Sequence, residues 1–259
     1  LEKRNEKIMR LNGTQIDLKK PIKFKFNGKS MTGVEGDTLA SALLANGQKL
    51  VARSFKYHRP RGIFAAGSEE PNALVNCLND GSWEPNSKAT TIELFEGLTV
   101  KSQNHKGSLE YDLLAINDYL HNFLSAGFYY KTFMWPKSFW EKVYEPAIRS
   151  AAGLGALEKK TDPSVYDKGF LHCDLLVIGG GPAGIMATLE AAKSGLRVIL
   201  CDEDFVFGGR LNSETDIISE QAGAEWAAKK IKEILQFSNA RLMLRTTVYG
   251  SFDHGIFGA

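Results

Sequence analysis

Cysteine is scarce in this 259-residue chain: Cys77, Cys173 and Cys201 are far apart and odd in number. That excludes a secreted disulfide framework and a closed cysteine-rich metal site, and it leaves small buried hydrophobes as the reading of all three. Long apolar runs are missing as well. No stretch approaches the roughly 20 residues of a membrane-spanning helix, and the opening LEKRNEKIMRLNG carries charges where a signal peptide is apolar. A soluble, cytoplasmic protein without membrane contact is expected. Nor does one sign of charge dominate: the net charge is +2, with lysine and arginine scattered rather than striped, so no nucleic-acid partner is indicated.

What is present is globular in character, with 43% hydrophobic and 24% charged residues and length for about two domains. PIKFKFNGKSMTGVE alternates apolar and polar residues around Asn27-Gly28, which predicts two antiparallel strands joined by a tight turn. GDTLASALLANGQ predicts a short buried helix capped by Asp37 or Thr38, with Leu39, Leu43 and Leu44 inward and Gly47 as the stop. An irregular loop and the strand-like LVNCL and TTIELFEGLTVKS follow. This order is that of a β-grasp domain, assigned to residues 1–105.

Residues 106–170 form an aromatic-rich connector, with Tyr119, Phe123, Phe128, Tyr129, Tyr130, Phe133, Trp135, Phe139, Trp140 and Tyr144. Aromatics bury large areas in cores and interfaces alike, so they pack either onto the neighbouring domains or onto a partner subunit.

Residues 171–259 read as a dinucleotide-binding domain. CDLLVI suits a parallel strand buried on both faces, IMATLEAAKSG a helix ending at Gly195, and RVILCD the next strand. SEQAGAEWAAKKIKEILQF follows with Ala227, Ile231, Ile234 and Leu235 on one helical face, and ARLMLRTTVYG reads as a third strand. A three-stranded parallel sheet alone would leave its edges uncovered, so the chain is expected to be the N-terminal part of a longer protein.

Gly179, Gly181 and Gly184 satisfy G-x-G-x-x-G between a strand and a helix, with Asp202 at the tip of the next strand, 18 residues beyond Gly184 (184 to 202). Gly179 permits the turn, Gly181 admits a pyrophosphate, Gly184 lets helix and strand close, and the helix N-terminus faces the phosphates. Asp202 suits a ribose, and with Glu203 and Asp204 it disfavours a 2′-phosphate. NAD or FAD is therefore favoured over NADP, a preference that Arg210, a cation able to face a 2′-phosphate, weakly opposes. The doublet Gly208-Gly209 fits a loop returning beneath the dinucleotide.

GDTLASALLANG, RSFKYHRPRGIFAAGSEEPNALV, GFYYKTFMWPKSFWEKVYEPAIRSAAGLG and VIGGGPAG resemble the N-terminal half of the α subunits of heterotetrameric sarcosine oxidases, nearly throughout from about residue 20. The resemblance implies NAD bound in a non-catalytic role, with FAD the alternative, by Gly179, Gly181, Ala183 and Gly184, then Asp202, Glu203, Asp204, Arg210 and the backbone of Val248 on the third strand. It also implies β, γ and δ partner subunits and a C-terminal remainder of the α subunit. FAD, FMN and tetrahydrofolate would lie elsewhere in a complex that demethylates sarcosine to glycine, giving hydrogen peroxide and 5,10-methylenetetrahydrofolate, and no catalytic residue falls on this chain.

The first domain resembles the ferredoxin-like domain of amine and opine dehydrogenases, whose loop after P-R-G holds cluster cysteines. Here that loop reads Phe64, Ala65, Ala66, Gly67, Ser68, Glu69 and Glu70. A [2Fe-2S] cluster takes four thiolates, so none is expected. The basic group Arg53, Lys56, His58, Arg59 and Arg61 reads as solvated charges and internal pairs, or as a contact for a phosphate or an acidic partner. An FAD-binding electron-transfer subunit and a non-enzymatic scaffold stand as the alternatives.

Overall fold

The computed structural model describes residues 10, 16–79, 81–124, 126–127, 135–151, 155, 158–161, 164–215 and 217–259. Two compact units are present, Leu1–Ser164 and Val165–Ala259.

In the first unit, β1 (Asp17–Phe26) and β2 (Lys29–Glu35) pair antiparallel through a turn in which Asn27 and Gly28 have φ of 49° and 78°. Positive φ at both centres matches the turn to the twist of the strands. Alternation along β1 sends Phe24 and Phe26 into the core. Helix α1 (Leu39–Ala45) starts at Thr38, whose hydroxyl accepts from Ser41 N–H at 3.1 Å while Thr38 N–H donates to Ser41 Oγ at 3.0 Å. Asp37, the other expected cap, accepts instead from Val34 N–H at 2.8 Å and Ser41 Oγ at 2.7 Å. Leu39 and Leu43 are fully buried, whereas Leu44 is exposed because it faces away from the sheet.

β3 (Ala52–Arg53) and β4 (Pro60–Arg61) make a short antiparallel pair. β5 (Leu74–Asn79), β6 (Ser82–Lys88) and β7 (Thr99–Ser102) complete a sheet of order β2-β1-β7-β5-β6, in which only β1 and β7 run parallel. Phe24, Phe26, Leu39, Leu43, Val75, Leu98 and Val100 form its core, each worth about 1.5–3 kcal/mol of apolar burial. A mixed sheet with one helix on its face is a ferredoxin-like arrangement.

Of the connector aromatics, Phe128, Tyr129, Tyr130 and Phe133 lie outside the described residues. Tyr119, Phe123, Trp135 and Phe139 are exposed; Trp140 and Tyr144 are half-buried. A short helix, α2 (Glu145–Ala151), follows them.

In the second unit, β8 (Leu175–Ile178), helix α3 (Pro182–Lys193) and β9 (Val198–Cys201) form a βαβ unit. β10 (Ile217–Ile218) and β11 (Gln221–Ala222) make a small hairpin before helix α4 (Gly223–Ile234), and β12 (Ala240–Met243) returns parallel to β9. β13 (Gly250–Phe252) and β14 (Ile256–Gly258) pair antiparallel. The parallel sheet has the order β12-β9-β8, and Ile185 and Leu189 of α3 meet Leu200 of β9 and Trp226, Ala227 and Ile234 of α4 in its core.

Three expectations are corrected here. β8 is not buried on both faces: Leu175 and Ile178 are exposed, because β8 is an edge with β9 as its neighbour among the described residues, while all of β9 is buried. Leu235 is exposed because α4 ends at Ile234 and Leu235 is its cap residue. The third strand stops at Met243; Arg245, at a φ of 52°, breaks the extension, so Val248 lies beyond the strand.

Candidate dinucleotide site

The site is built where β8 and β9 end. Gly179, at a φ of 100°, turns the chain out of β8 while its N–H still reaches Cys201 O at 2.8 Å. No L side chain adopts that φ readily, which is why the first glycine is needed. Gly181 begins α3 with no side-chain cap, and Pro182 occupies the first helical position. A Cβ on Gly181 would meet nothing within 4 Å. An uncapped helix N-terminus with open space in front of it is a site for an anion. At Gly184 a Cβ would collide with the carbonyl oxygen of Gly179, so this glycine closes the helix against the loop.

Asp202 does more than stand at the strand tip. One carboxylate oxygen accepts from Gly180 N–H and the other from Asp204 N–H at 2.8 Å. Its backbone N–H donates to Met243 O at 2.9 Å, and its carbonyl accepts from Thr246 N–H at 2.8 Å. Glu203 is exposed and Asp204 half-buried; Asp204 O accepts from Arg245 N–H at 2.9 Å. Asp202, Glu203 and Asp204 thus gather at one tip. Arg210 ion-pairs with Glu214 on its own turn. Ala183 lies exposed in the first turn of α3, and Val248 is half-buried in the stretch after β12.

The glycine doublet closes the arrangement. Gly208 N–H donates to Gly180 O at 2.8 Å, and a Cβ on Gly209 would come within 3.2 Å of Gly181 Cα. Gly208 and Gly209 both have positive φ, 126° and 53°. Gly180, an unspecified position of the fingerprint, is confined as well: a Cβ there would strike Phe207 and Asp202. The unbroken run Gly179-Gly180-Gly181, with glycine also at the unspecified middle position, was the sequence signal for it.

The loop after P-R-G is organised by Glu70, which is 1% exposed. Its carboxylate accepts from the N–H groups of Phe64 (2.7 Å), Ala65 (2.6 Å), Asn72 (2.7 Å) and Ala73 (3.0 Å). Burial pushes the carboxyl up, but the amides of Ala65, Asn72, Phe64 and Ala73 together outweigh it and hold it below the ordinary glutamate range. Sequence reasoning treated Glu70 as an ordinary loop residue. In the basic group, Arg53 is buried and donates to Leu109 O, His58 O and Glu110 O, and His58 meets Asp112 at 2.6 Å, so these two are internal.

Against this geometry, the comparisons with known proteins place the chain. It is 54% identical to the sarcosine oxidase subunit alpha of Rhizobium meliloti (strain 1021) over 94% of its length, and 35% identical to that of Corynebacterium sp. (strain P-1) over 92%. The chain is homologous to the N-terminal region of sarcosine oxidase α subunits. It spans 25% and 20% of the length of these relatives. An L-proline dehydrogenase from P. horikoshii shares the fold, with a TM-score of 0.54 and 21% identity over 96% of this chain and 37% of that one.

Two family models match, and they correct the expected cofactors. Residues 19–105 match a 2Fe-2S iron-sulfur cluster binding domain, and residues 174–250 match an FAD dependent oxidoreductase. Both overturn the reading of NAD with no iron–sulphur cluster: the matches point to FAD and to a cluster-binding type of fold. The phosphate loop fits FAD, because Gly181 offers open space before an uncapped helix. Residues 19–105 fit a cluster poorly. Cys77 is the segment's one cysteine, against the four thiolates required. It is buried on β5, and burial with the nearby Glu84 charge pushes its thiol up to about 11.

Proposed function

We propose that this chain supplies the dinucleotide-binding N-terminal region of the α subunit of a multi-subunit, cytoplasmic sarcosine oxidase. Residues 1–105 form its ferredoxin-like domain, 106–170 the connector and 171–259 the nucleotide domain. The observation that carries the reading is the 54% identity running through both units. The whole complex would oxidise sarcosine to glycine, with hydrogen peroxide and 5,10-methylenetetrahydrofolate as products, and the α subunit would work beside β, γ and δ subunits.

Within this chain the work is binding and orientation. Gly179, Gly181, Ala183 and Gly184 cradle the pyrophosphate of FAD at the α3 N-terminus, where the helix dipole and free N–H groups favour negative charge. Asp202 and Glu203 stand where the adenosine ribose is held, and Asp204, Arg210 and Val248 border it. Bound FAD supplies a two-electron acceptor; the residues on this chain hold its ADP half and perform no bond-breaking step.

Gly181→Asp tests this directly. The new side chain has room, yet places a carboxylate at the phosphate position, where like charge repels. The full-length α subunit should lose its bound flavin, measured by absorbance and by the nucleotide released on denaturation, while unfolding at the same midpoint as wild type stripped of flavin. Wild-type protein that releases no FAD, or a variant that keeps it, overturns the assignment.

A further inference from the structure

The loop of residues 63–73 has the construction of an anion site, and its occupant is the chain itself. The two carboxylate oxygens of Glu70 divide four main-chain donors evenly: one accepts from Phe64 and Ala65 N–H at 2.7 and 2.6 Å, the other from Asn72 and Ala73 N–H at 2.7 and 3.0 Å. The donors lie on both sides of Glu70 along the chain, so the loop winds around the carboxylate. Among the described residues no lysine or arginine pairs with it, and its buried charge is met by amides alone.

The frame around the carboxylate is fixed by other bonds. Gly67 O accepts from Glu70 N–H at 3.2 Å and from Thr90 Oγ1 at 2.7 Å, Lys88 Nζ donates to Ser68 O, and Ala89 N–H donates to Ala73 O at 2.9 Å. Ala73 and Ala89 are fully buried in the core of the first unit, and Ile63 packs against that core. Both ends of the loop and its tip are thus tied down without help from the carboxylate. Removing the side chain would leave four N–H groups aimed at one point, and successive main-chain N–H groups that converge in this way make an anion-binding concavity.

We infer that residues 63–73 are a main-chain anion site specific for a carboxylate, that Glu70 is its tethered ligand, and that with this side chain cut back the site takes a free carboxylate of the formate or acetate class. Two oxygens in one plane suit two pairs of donors, whereas a halide offers a single centre and a primary amide turns its own N–H groups toward the donors. The tether supplies the carboxylate at high local concentration, so the free ion acts only in large excess. Residues 19–105 match a domain that binds an iron–sulphur cluster, which makes a metal the other candidate for what holds this loop in shape.

Amide hydrogen exchange of residues 63–73, followed by mass spectrometry at pH 7 in the full-length α subunit, tests this with Glu70→Ala and Glu70→Gln. Both variants should exchange the loop amides at least tenfold faster than wild type. Sodium formate or acetate should restore protection to Glu70→Ala in a saturable way, and sodium chloride at equal ionic strength should not. Glu70→Gln, whose amide fills the site, should stay unprotected in either salt. A folded Glu70→Ala that formate and acetate leave unprotected overturns the inference, and so does equal rescue by chloride or equal rescue of Glu70→Gln. Should Glu70→Ala misfold, wild type decides: loop amides that stay protected after exhaustive treatment with a metal chelator support Glu70 as the ligand, and protection lost on chelation assigns the loop to a bound metal and overturns it.

Discussion

At the scale of the residue, two carboxylates organise the two units, each by collecting backbone N–H groups. Asp202 joins the phosphate loop to the tip of β9 through Gly180 and Asp204. Asp202→Ala leaves both amides without their charged acceptor, and hydrogen bonds to a charged group are worth about 1.5–3 kcal/mol each. FAD affinity of the α subunit should fall at least tenfold in a fluorescence titration. Glu70 is the counterpart in the first unit. In Glu70→Gln an NH2 group replaces one acceptor oxygen and confronts N–H donors, so stability at pH 7 should drop by about 2 kcal/mol in urea unfolding. The pH dependence has a definite sign. The Glu70 carboxyl is held below its ordinary value, so its contribution is complete above the unfolded value of about 4.3 and is lost as pH falls through the folded value. The gap between wild type and Glu70→Gln should therefore narrow on acidification below about pH 4.

At the scale of the element, the βαβ unit depends on how closely α3 approaches the turn after β8. Gly184→Ala drives a methyl group into the Gly179 carbonyl oxygen; overpacking of that kind costs about 1–3 kcal/mol, and thermal unfolding of the variant should show it. Elements governed by local chemistry were legible in the sequence: the Asn27-Gly28 turn, the Thr38 start of α1, and α3 opening at a glycine and closing before Gly195 at a φ of 83°. The phosphate loop was legible because each of its glycines answers a distinct steric demand. What depends on distant partners was not. Exposure of β8 follows from which strands flank it, the early end of β12 from the φ of Arg245, and the role of Glu70 from amides on both sides of its loop that converge only in the fold.

At the scale of the molecule, each unit has its own core, one around Leu43 and Phe24, the other around Leu200 and Ile185. Emptying a buried leucine costs about 2–5 kcal/mol, so calorimetry should show Leu43→Ala lowering the transition of the first unit and Leu200→Ala that of the second. No helix among the described residues is long and apolar enough to cross a membrane. The contacts around Gly180 have a further consequence. Its N–H is held by Asp202, its carbonyl by Gly208, and Asp202 in turn by Met243 and Thr246. Segments some 20 to 60 residues apart along the chain are thereby tied together by the protein's own hydrogen bonds. A loop held by so many of the protein's own bonds should need no rearrangement to take its ligand, so capture should be a single-step, diffusion-governed encounter whose observed rate rises linearly with nucleotide concentration rather than reaching a plateau.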